Sequence, residues 1–320
     1  MNPIQYFAQL IWQQPWISLD YKKSIYKKIC KTSQAPDAPF EKDFYGLRYQ
    51  GNLNNNIEFN IYYYDAFEKP LLYFLRDTMT QLNQAQTLTE PQTQSIFFDV
   101  GANIGQHSLF MSNFAKQVHS FEPFDAVSSK LLHHIQLNSI QNIELHSLGL
   151  SNKTEQLDFF APTGRNQGIG SFDANTVSKG NTKLGKLDLV RGDEYLQSKQ
   201  LQNLDLLKID VEGFEKHVLD GLQQTLQLAR PIMVVEISYG SELGFSSLEE
   251  LSSMLPENYS LYSFDTRKAD GSKARRRGAK AKRSGKYSLI PFTQWRSSGQ
   301  DDVIACPDEK KQYLPQQPTS

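Results

Sequence analysis

The chain has 320 residues, 39% hydrophobic and 22% charged, which allows one large domain plus an accessory segment and excludes a disordered or fibrous class. Lysine and arginine (34) balance aspartate and glutamate (35), so overall charge names no nucleic-acid or membrane partner. Cys30 and Cys306 lie near opposite ends, Met1–Gln9 lacks a positive n-region, and no apolar run approaches the ~18–20 residues of a bilayer span, so a reducing cytoplasmic location is expected.

Residues 2–31 have helical spacing, with Ile4, Phe7, Leu10, Ile11, Trp12 and Trp16 apolar and Lys22, Lys23, Lys27, Lys28 and Lys31 basic. Such a helix either packs its aromatics on the main domain or lies on a membrane surface. Alternation in Phe44–Tyr49 and Ile57–Tyr63, separated by the turn-rich residues 51–56, predicts a β-hairpin. Ala66 to Leu82 follows as a helix, and the polar stretch Asn83–Gln94 is expected to be a linker. These residues, 1–94, form the accessory segment.

From Ser95 onward, short apolar strands alternate with helices. Strands are expected at Ile96–Val100, Val118–Phe121, Ile143–Leu150, Leu204–Ile209, Ile232–Ile237 and Tyr259–Phe264, with a late strand at Asp302–Ala305. Helices are expected near 106–115, 126–138, 214–228 and 247–255, and an excursion from Ser151 to Asn203 carries the glycine-rich Gly164–Gly170. The pattern is that of an α/β, Rossmann-like doubly wound sheet, mostly parallel with an antiparallel last strand, over residues 95–308. Residues 309–320 are expected to be a flexible tail.

Ligands of such sheets bind beyond the carboxyl ends of the strands. The first strand ends in Asp99-Val100-Gly101-Ala102-Asn103-Ile104-Gly105, where two glycines let the backbone turn sharply and approach a ligand. The spacing lacks the third glycine of the dinucleotide fingerprint, and Asp99 stands where it can face a cation such as a methionine amino group. Glu122, about twenty residues along at the end of the second strand, can accept two ribose hydroxyls. Three further acids, Asp210, Glu212 and Glu236, fall at the ends of the fourth and fifth strands, where burial is costly unless they line a cleft.

These residues resemble the FkbM family of S-adenosylmethionine-dependent methyltransferases. The resemblance rests on Asp99–Gly105, Phe121-Glu122-Pro123, Lys208-Ile209-Asp210-Val211-Glu212-Gly213, Val218-Leu219-Asp220-Gly221 and Glu236, and extends back to Glu68-Lys69-Pro70. The chain departs from the family in Arg191-Gly192-Asp193, where Thr-Leu-Asp is usual. The resemblance implies a class I methyltransferase fold and S-adenosyl-L-methionine as donor, held by Asp99, Gly101, Ala102, Asn103, Gly105, Glu122, Pro123, Gly149 and Leu150. It implies O-methylation of a hydroxyl on a glycan, sugar or natural product. A hydroxyl needs a general base, and Asp210, Glu212 and Glu236 are the candidates for base or for acceptor orientation, with Asp210, closest to the strand end, alternatively holding the donor. His107, at the start of the helix after the glycine turn, can reach the acceptor, whereas His133, His134 and His217 are expected on helices as surface or packing residues and His146 shows no partner. No metal ligand is assigned, although three clustered acids could hold Mg2+.

Between the sixth and the late strand, Arg267–Lys286 carries ten basic residues and one acid. The composition predicts a solvated, disordered loop within the insert 266–286. A parallel sixth strand leaves this loop beside the cleft, where it could attract an anionic acceptor or a lipid-linked glycan at a membrane. Nucleic acid is disfavoured because no aromatics are interleaved. Two rival readings are an NAD-dependent dehydrogenase and a non-catalytic nucleotide-binding protein that grips RNA or anionic lipid.

Overall fold

The computed structural model describes residues 6–7, 10–11, 13–32, 38–89, 95–162, 170–268, 272 and 274–316. They divide into two compact units, Met1–Lys69 and Pro70–Ser320. Ile4 and Trp12 of the expected N-terminal helix, residues 164–169 of the glycine-rich stretch and residues 90–94 of the expected linker lie outside the described residues.

The first unit holds helix α1 (Leu19–Thr32), strands β1 (Pro39–Phe44) and β2 (Leu47–Asn52), and helix α2 (Asn56–Tyr64). The hairpin therefore differs from the expected one. It is β1 against β2, closed by Tyr45 and Gly46, both at positive φ as a two-residue turn requires. Residues 56–64 are helical despite their alternation, because the Asn55 side chain accepts from the Ile57 and Glu58 amides and caps the helix. Burial of Phe59, Ile61, Tyr63 and Tyr64 on nearly all sides of this short helix hides its period. Tyr26 of α1 stacks on Phe59, while Phe7, Trp16 and Tyr21 are exposed.

The long helix α3 (Lys69–Thr89) carries through residues 83–89, so that part of the expected linker is helical. The second unit then builds strand β3 (Ile96–Val100), helix α4 (Gln106–Met111), strand β4 (Gln117–Phe121), helix α5 (Asp125–Leu137) and strand β5 (Ile143–His146). The expected third strand Ile143–Leu150 is divided: its end forms strand β6 (Gly149–Ser151), which joins strands β7 (Glu155–Pro162) and β8 (Asn181–Arg191) of the expected excursion in a small sheet ordered β6-β8-β7, followed by helix α6 (Gly192–Ser198). Next come strand β9 (Leu206–Ile209), helices α7 (Glu215–Gly221) and α8 (Gln223–Ala229), strand β10 (Ile232–Ser238), helix α9 (Leu248–Ser253) and strand β11 (Tyr259–Phe264). Helix α10 (Arg275–Ser284), strand β12 (Leu289–Pro291) and strand β13 (Gln300–Pro307) complete the chain's main elements.

The large sheet has the order β12-β11-β13-β10-β9-β3-β4-β5. Strands β10, β9, β3, β4 and β5 run parallel, and β13 is antiparallel to both β10 and β11. Chain order reverses between β3 and β9, which is the switch point where a doubly wound sheet opens a crevice. The antiparallel β13, wedged between β10 and β11, distinguishes this sheet from the dinucleotide-binding order. Phe98, Val100, Phe121, Leu207, Ile209, Val235 and Ile237 bury one sheet face against helices that include α7 and α8.

Two expectations of disorder are corrected. Residues 275–284 of the basic insert form α10, since alanine, lysine and arginine favour helix and Gly285 at positive φ ends it. The tail expected from 309 is anchored through 316: Asp308–Tyr313 forms a 3-10 turn, Leu314 is buried, and the Leu289 amide donates to the Gln316 carbonyl. Residues 317–320 lie outside the described residues. Among the described residues, no helix is long and apolar enough to cross a membrane.

Candidate active site at the strand ends

Gly101 turns the chain out of β3 at φ +79°. A Cβ there would meet the Asp210 carbonyl oxygen at 1.8 Å, so the close approach this glycine permits is to the chain's own β9–α7 loop rather than to a ligand. Gly105, at φ +81°, caps α4, and a Cβ would run into the Leu131 side chain at 2.3 Å. Both glycines are needed, and each is needed for packing. Gly101 and Ala102 donate their amides to the Phe121 carbonyl, which lashes the turn to the end of β4.

Asp99 is tied into the protein itself. Its carboxylate is fully buried, accepts from Ser108 Oγ at 2.6 Å and lies 3.3 Å from Lys208 Nζ. The cation expected opposite it belongs to β9, directly across the ladder in register. Lys208 also stands 3.4 Å from the Asp210 carboxylate and so links the ends of β3 and β9. Asp99 thus helps to hold the ends of β3 and β9 together. Sequence reasoning quoted Lys208 in a motif and gave it no role; its partner is too distant along the chain to suggest one.

Glu122 occupies the end of β4 as expected. Its Oε2 accepts from the Asn103 amide and its Oε1 from the Phe124 amide, both at 2.9 Å. Burial pushes its pKa up to about 7, against the pull of those two amides. Pro123 lies beside Gly149, where a Cβ would meet Leu189 at 2.5 Å. Leu150 packs its side chain into the core and offers a ligand none.

The three proposed base candidates separate. Asp210 is half-buried and paired with Lys208. Glu212, at φ +53°, is pushed up to about 8 by burial, with Asp210 and Glu215 adding repulsion. Glu236 sits on β10, where its Oε2 accepts from Gln300 Nε2 at 3.2 Å. Directly across the ladder from Glu236 lies Asp302. Burial, then the charge of Asp210, raise the Asp302 pKa to about 7. Sequence analysis missed this residue, although a signal existed: an antiparallel strand begins where its parallel neighbours end, so an acid at its start joins the site. Glu215 is buried and accepts from the Val211 and Gly213 amides, which fixes the loop carrying Asp210 and Glu212.

His107 is buried beside this group, and its Nε2 has no hydrogen-bond partner. Burial and then the Lys208 charge hold its pKa well below the usual imidazole value, with Asp210 opposing, so the ring is neutral. His134 bonds the Lys130 carbonyl and His217 stacks on Phe214, consistent with packing. His146, expected to lack a partner, has two: His119 and Tyr195. In the departure at Arg191–Asp193, Asp193 accepts from the Gln224 and Thr225 amides and caps α8, while Gly192 leaves room for Leu222.

The basic insert is partly committed. Arg267 pairs with Asp301 at 2.6 Å, and Arg277 pairs with Asp265. Arg275 and Lys280 are exposed on α10, which follows the ligand-edge end of β11.

A family profile described as the methyltransferase FkbM domain matches residues 99–262. Hexuronic acid methyltransferase AglP of Haloferax volcanii is 30% identical over 154 residues, 48% of this chain and 60% of that protein. Methyltransferase 1 of Beauveria bassiana is 29% identical over 145 residues, 40% of this chain and 58% of that protein. The chain thus spans less than two thirds of the curated relatives it matches. Among solved structures, the methyltransferase FkbM of Methylobacillus flagellatus is 14% identical with a TM-score of 0.38, covering 68% of this chain and 45% of that one.

Proposed function

The chain belongs to the FkbM methyltransferase family, whose profile covers residues 99–262, and from that premise we propose that it moves a methyl group from S-adenosylmethionine to a hydroxyl of a sugar-acid acceptor. The observation that carries this reading is Glu122. Each of its oxygens spends one lone pair on a backbone amide, so each keeps another for a hydroxyl, which fits a ribose diol. The donor supplies a methyl group already activated on a sulfonium. What remains for this chain is to hold the acceptor in line and to take up its proton.

Asp302 suits the second task. A base with a pKa of about 7 combines a large ionised fraction at neutral pH with useful basicity. Asp210, tied to Lys208, orients the acceptor, and Glu212, with a pKa of about 8, is mostly protonated at neutral pH and donates a hydrogen bond. The name of AglP, a hexuronic acid methyltransferase, together with Arg275 and Lys280 beside the end of β11, supports an anionic acceptor. Exposed Phe7, Trp16 and Tyr21 support membrane-surface contact by the first unit, as a lipid-linked acceptor requires.

The test supplies labelled donor with paired glucuronide and glucoside acceptors and identifies the product by mass spectrometry. Alkali-stable label on the glucuronide is expected. Alkali-labile label would mean a carboxyl ester and would overturn the hydroxyl assignment. Equal turnover of the neutral glucoside would remove the anionic preference. Tight binding of NAD in place of the donor's product, S-adenosylhomocysteine, would remove the whole reading.

A further inference from the structure

Away from the acids at the switch point, β4 and β5 carry a second group of ionisable side chains. His119 lies across the ladder from Glu144, and Phe121 across from His146. Alternate residues of a strand share a face, so His119, Glu144 and His146 stand on one side of the sheet. His119 Nδ1 is 3.1 Å from His146 Nε2 and 3.6 Å from Glu144 Oε2, and His146 Nε2 is 3.9 Å from Glu144 Oε1. The imidazoles are buried, and the Glu144 side chain is 52% exposed, so one side of the group opens to solvent. Among the described residues, this is the group whose ligand atoms converge closely enough to hold a metal ion.

The rings are fixed from behind. Phe98 packs edge-on against His119, and Phe121 stacks on His146 with centroids 4.5 Å apart. The Tyr195 hydroxyl lies 2.9 Å from His146 Nδ1, which leaves Nε2 to turn inward. A partner on the outer nitrogen is the usual way a protein orients a metal-binding imidazole.

A simple hydrogen bond between the two rings would explain the 3.1 Å contact but not the carboxylate. Glu144 approaches both rings at distances too long for hydrogen bonds. Ligands held about 2.0–2.1 Å from zinc at a tetrahedral angle are separated by roughly 3.3 Å, which falls within the observed spread. We propose that His119, Glu144 and His146 bind one zinc-class divalent cation, with water completing a tetrahedron on the open side. The ion pins the edge strand β5 to β4 immediately before Glu122, whose amide donates to the His146 carbonyl at 3.1 Å. Its role is to brace the wall that carries Glu122, and it stands independently of the methyl-transfer reading.

The test titrates chelator-treated full-length protein with ZnCl2 against a chromogenic competitor, and with CoCl2 followed by visible absorption. One equivalent of zinc is expected, a rise in Tm on binding, and a cobalt spectrum of four-coordinate intensity. The exposed Glu144→Gln leaves the fold intact and weakens zinc binding by at least the ~10-fold that outer-shell changes cost. Glu155→Gln, an exposed acid on another strand, leaves it unchanged. Absence of a bound equivalent, or Glu144→Gln with wild-type affinity, would overturn the proposal.

Discussion

Three glycines at positive φ allow strain and collision to be separated within the second unit. Gly240 has φ +80° and nothing within 4 Å of a built Cβ, so Gly240→Ala incurs left-handed strain alone, about 1–2 kcal/mol. Gly105→Ala adds collisions with Leu131 Cδ1 at 2.3 Å and Leu131 Cβ at 2.7 Å; a rotamer change relieves the first and a small shift of α5 the second, at an added cost of about 1–3 kcal/mol. Gly101→Ala meets a backbone carbonyl, Asp210 O, at 1.8 Å, and no rotamer can relieve that. The β9–α7 loop must retreat, and the Asp210 amide then loses its 3.0 Å bond to the Val100 carbonyl. Strain, overpacking and the lost bond sum to about 3–6 kcal/mol, a large share of a domain's stability. Urea unfolding of the three variants should rank Gly240→Ala mildest and Gly101→Ala worst. Calorimetry with S-adenosylhomocysteine should find binding lost only in Gly101→Ala. A Gly101→Ala protein within 1 kcal/mol of Gly240→Ala, binding ligand as wild type does, would refute the argument.

Removing the central cation should be worse than removing either partner. Lys208→Met leaves Asp99 buried without its countercharge and should lose about 3–5 kcal/mol in urea unfolding, whereas Asp99→Asn, which keeps the Ser108 contact, should lose less. At saturating donor, where Glu122 is already committed, acceptor kcat/KM against pH should show an acid limb that rises as Asp302 loses its proton, centred below the unliganded value of about 7 because the donor's charge favours ionisation. Asp302→Asn should remove that limb along with most of kcat, whereas Glu212→Gln, neutral like the acid it replaces, should stay within about twofold at pH 7. Glu122, also near 7, must ionise fully to accept two hydroxyls, so donor affinity should rise from pH 6 to 8 with proton release, read as a dependence of binding enthalpy on buffer ionisation. Affinity flat across that range would contradict the ribose assignment.

The alternation of strands and helices after Ser95, and the acids that end the strands, were legible because both are local: a short apolar run, a glycine turn, a carboxylate. The failures share a cause. Ile57–Tyr63 alternates like a strand, yet the Asn55 cap makes it a helix and burial on nearly all sides erases the period. The Lys208 partner of Asp99 could not be read from the sequence, since only the β3–β9 pairing brings it there. Asp302 begins a strand already expected to be antiparallel, but its place beside Glu236 follows only from the pairing of β13 with β10. His119 and His146 match no metal spacing, since two neighbouring strands rather than one helix bring them together. Periodicity reports which face is buried; it does not report which strand lies next door.

The number of acids around Lys208 has a consequence of its own. Two unit charges about 4 Å apart repel by about 4 kcal/mol at the effective dielectric of a protein surface, so neighbouring carboxylates cannot all ionise cheaply. One lysine is shared between Asp99 and Asp210, and burial, with the surplus repulsion added to it, retains protons on Glu212 and Asp302 near neutral pH. A cation bound beside them relieves that repulsion and favours ionisation. S-adenosylmethionine carries a positive sulfonium, and S-adenosylhomocysteine carries a neutral thioether of nearly the same shape. The methyl donor should therefore lower the Asp302 titration by about 1 pH unit, and the demethylated product should leave it near 7. Carbon-13 NMR of labelled aspartate, assigned by Asp302→Asn, reads both titrations directly. Equal shifts with the two ligands would show that the base responds to occupancy rather than to charge, and the coupling between donor loading and proton abstraction would be lost.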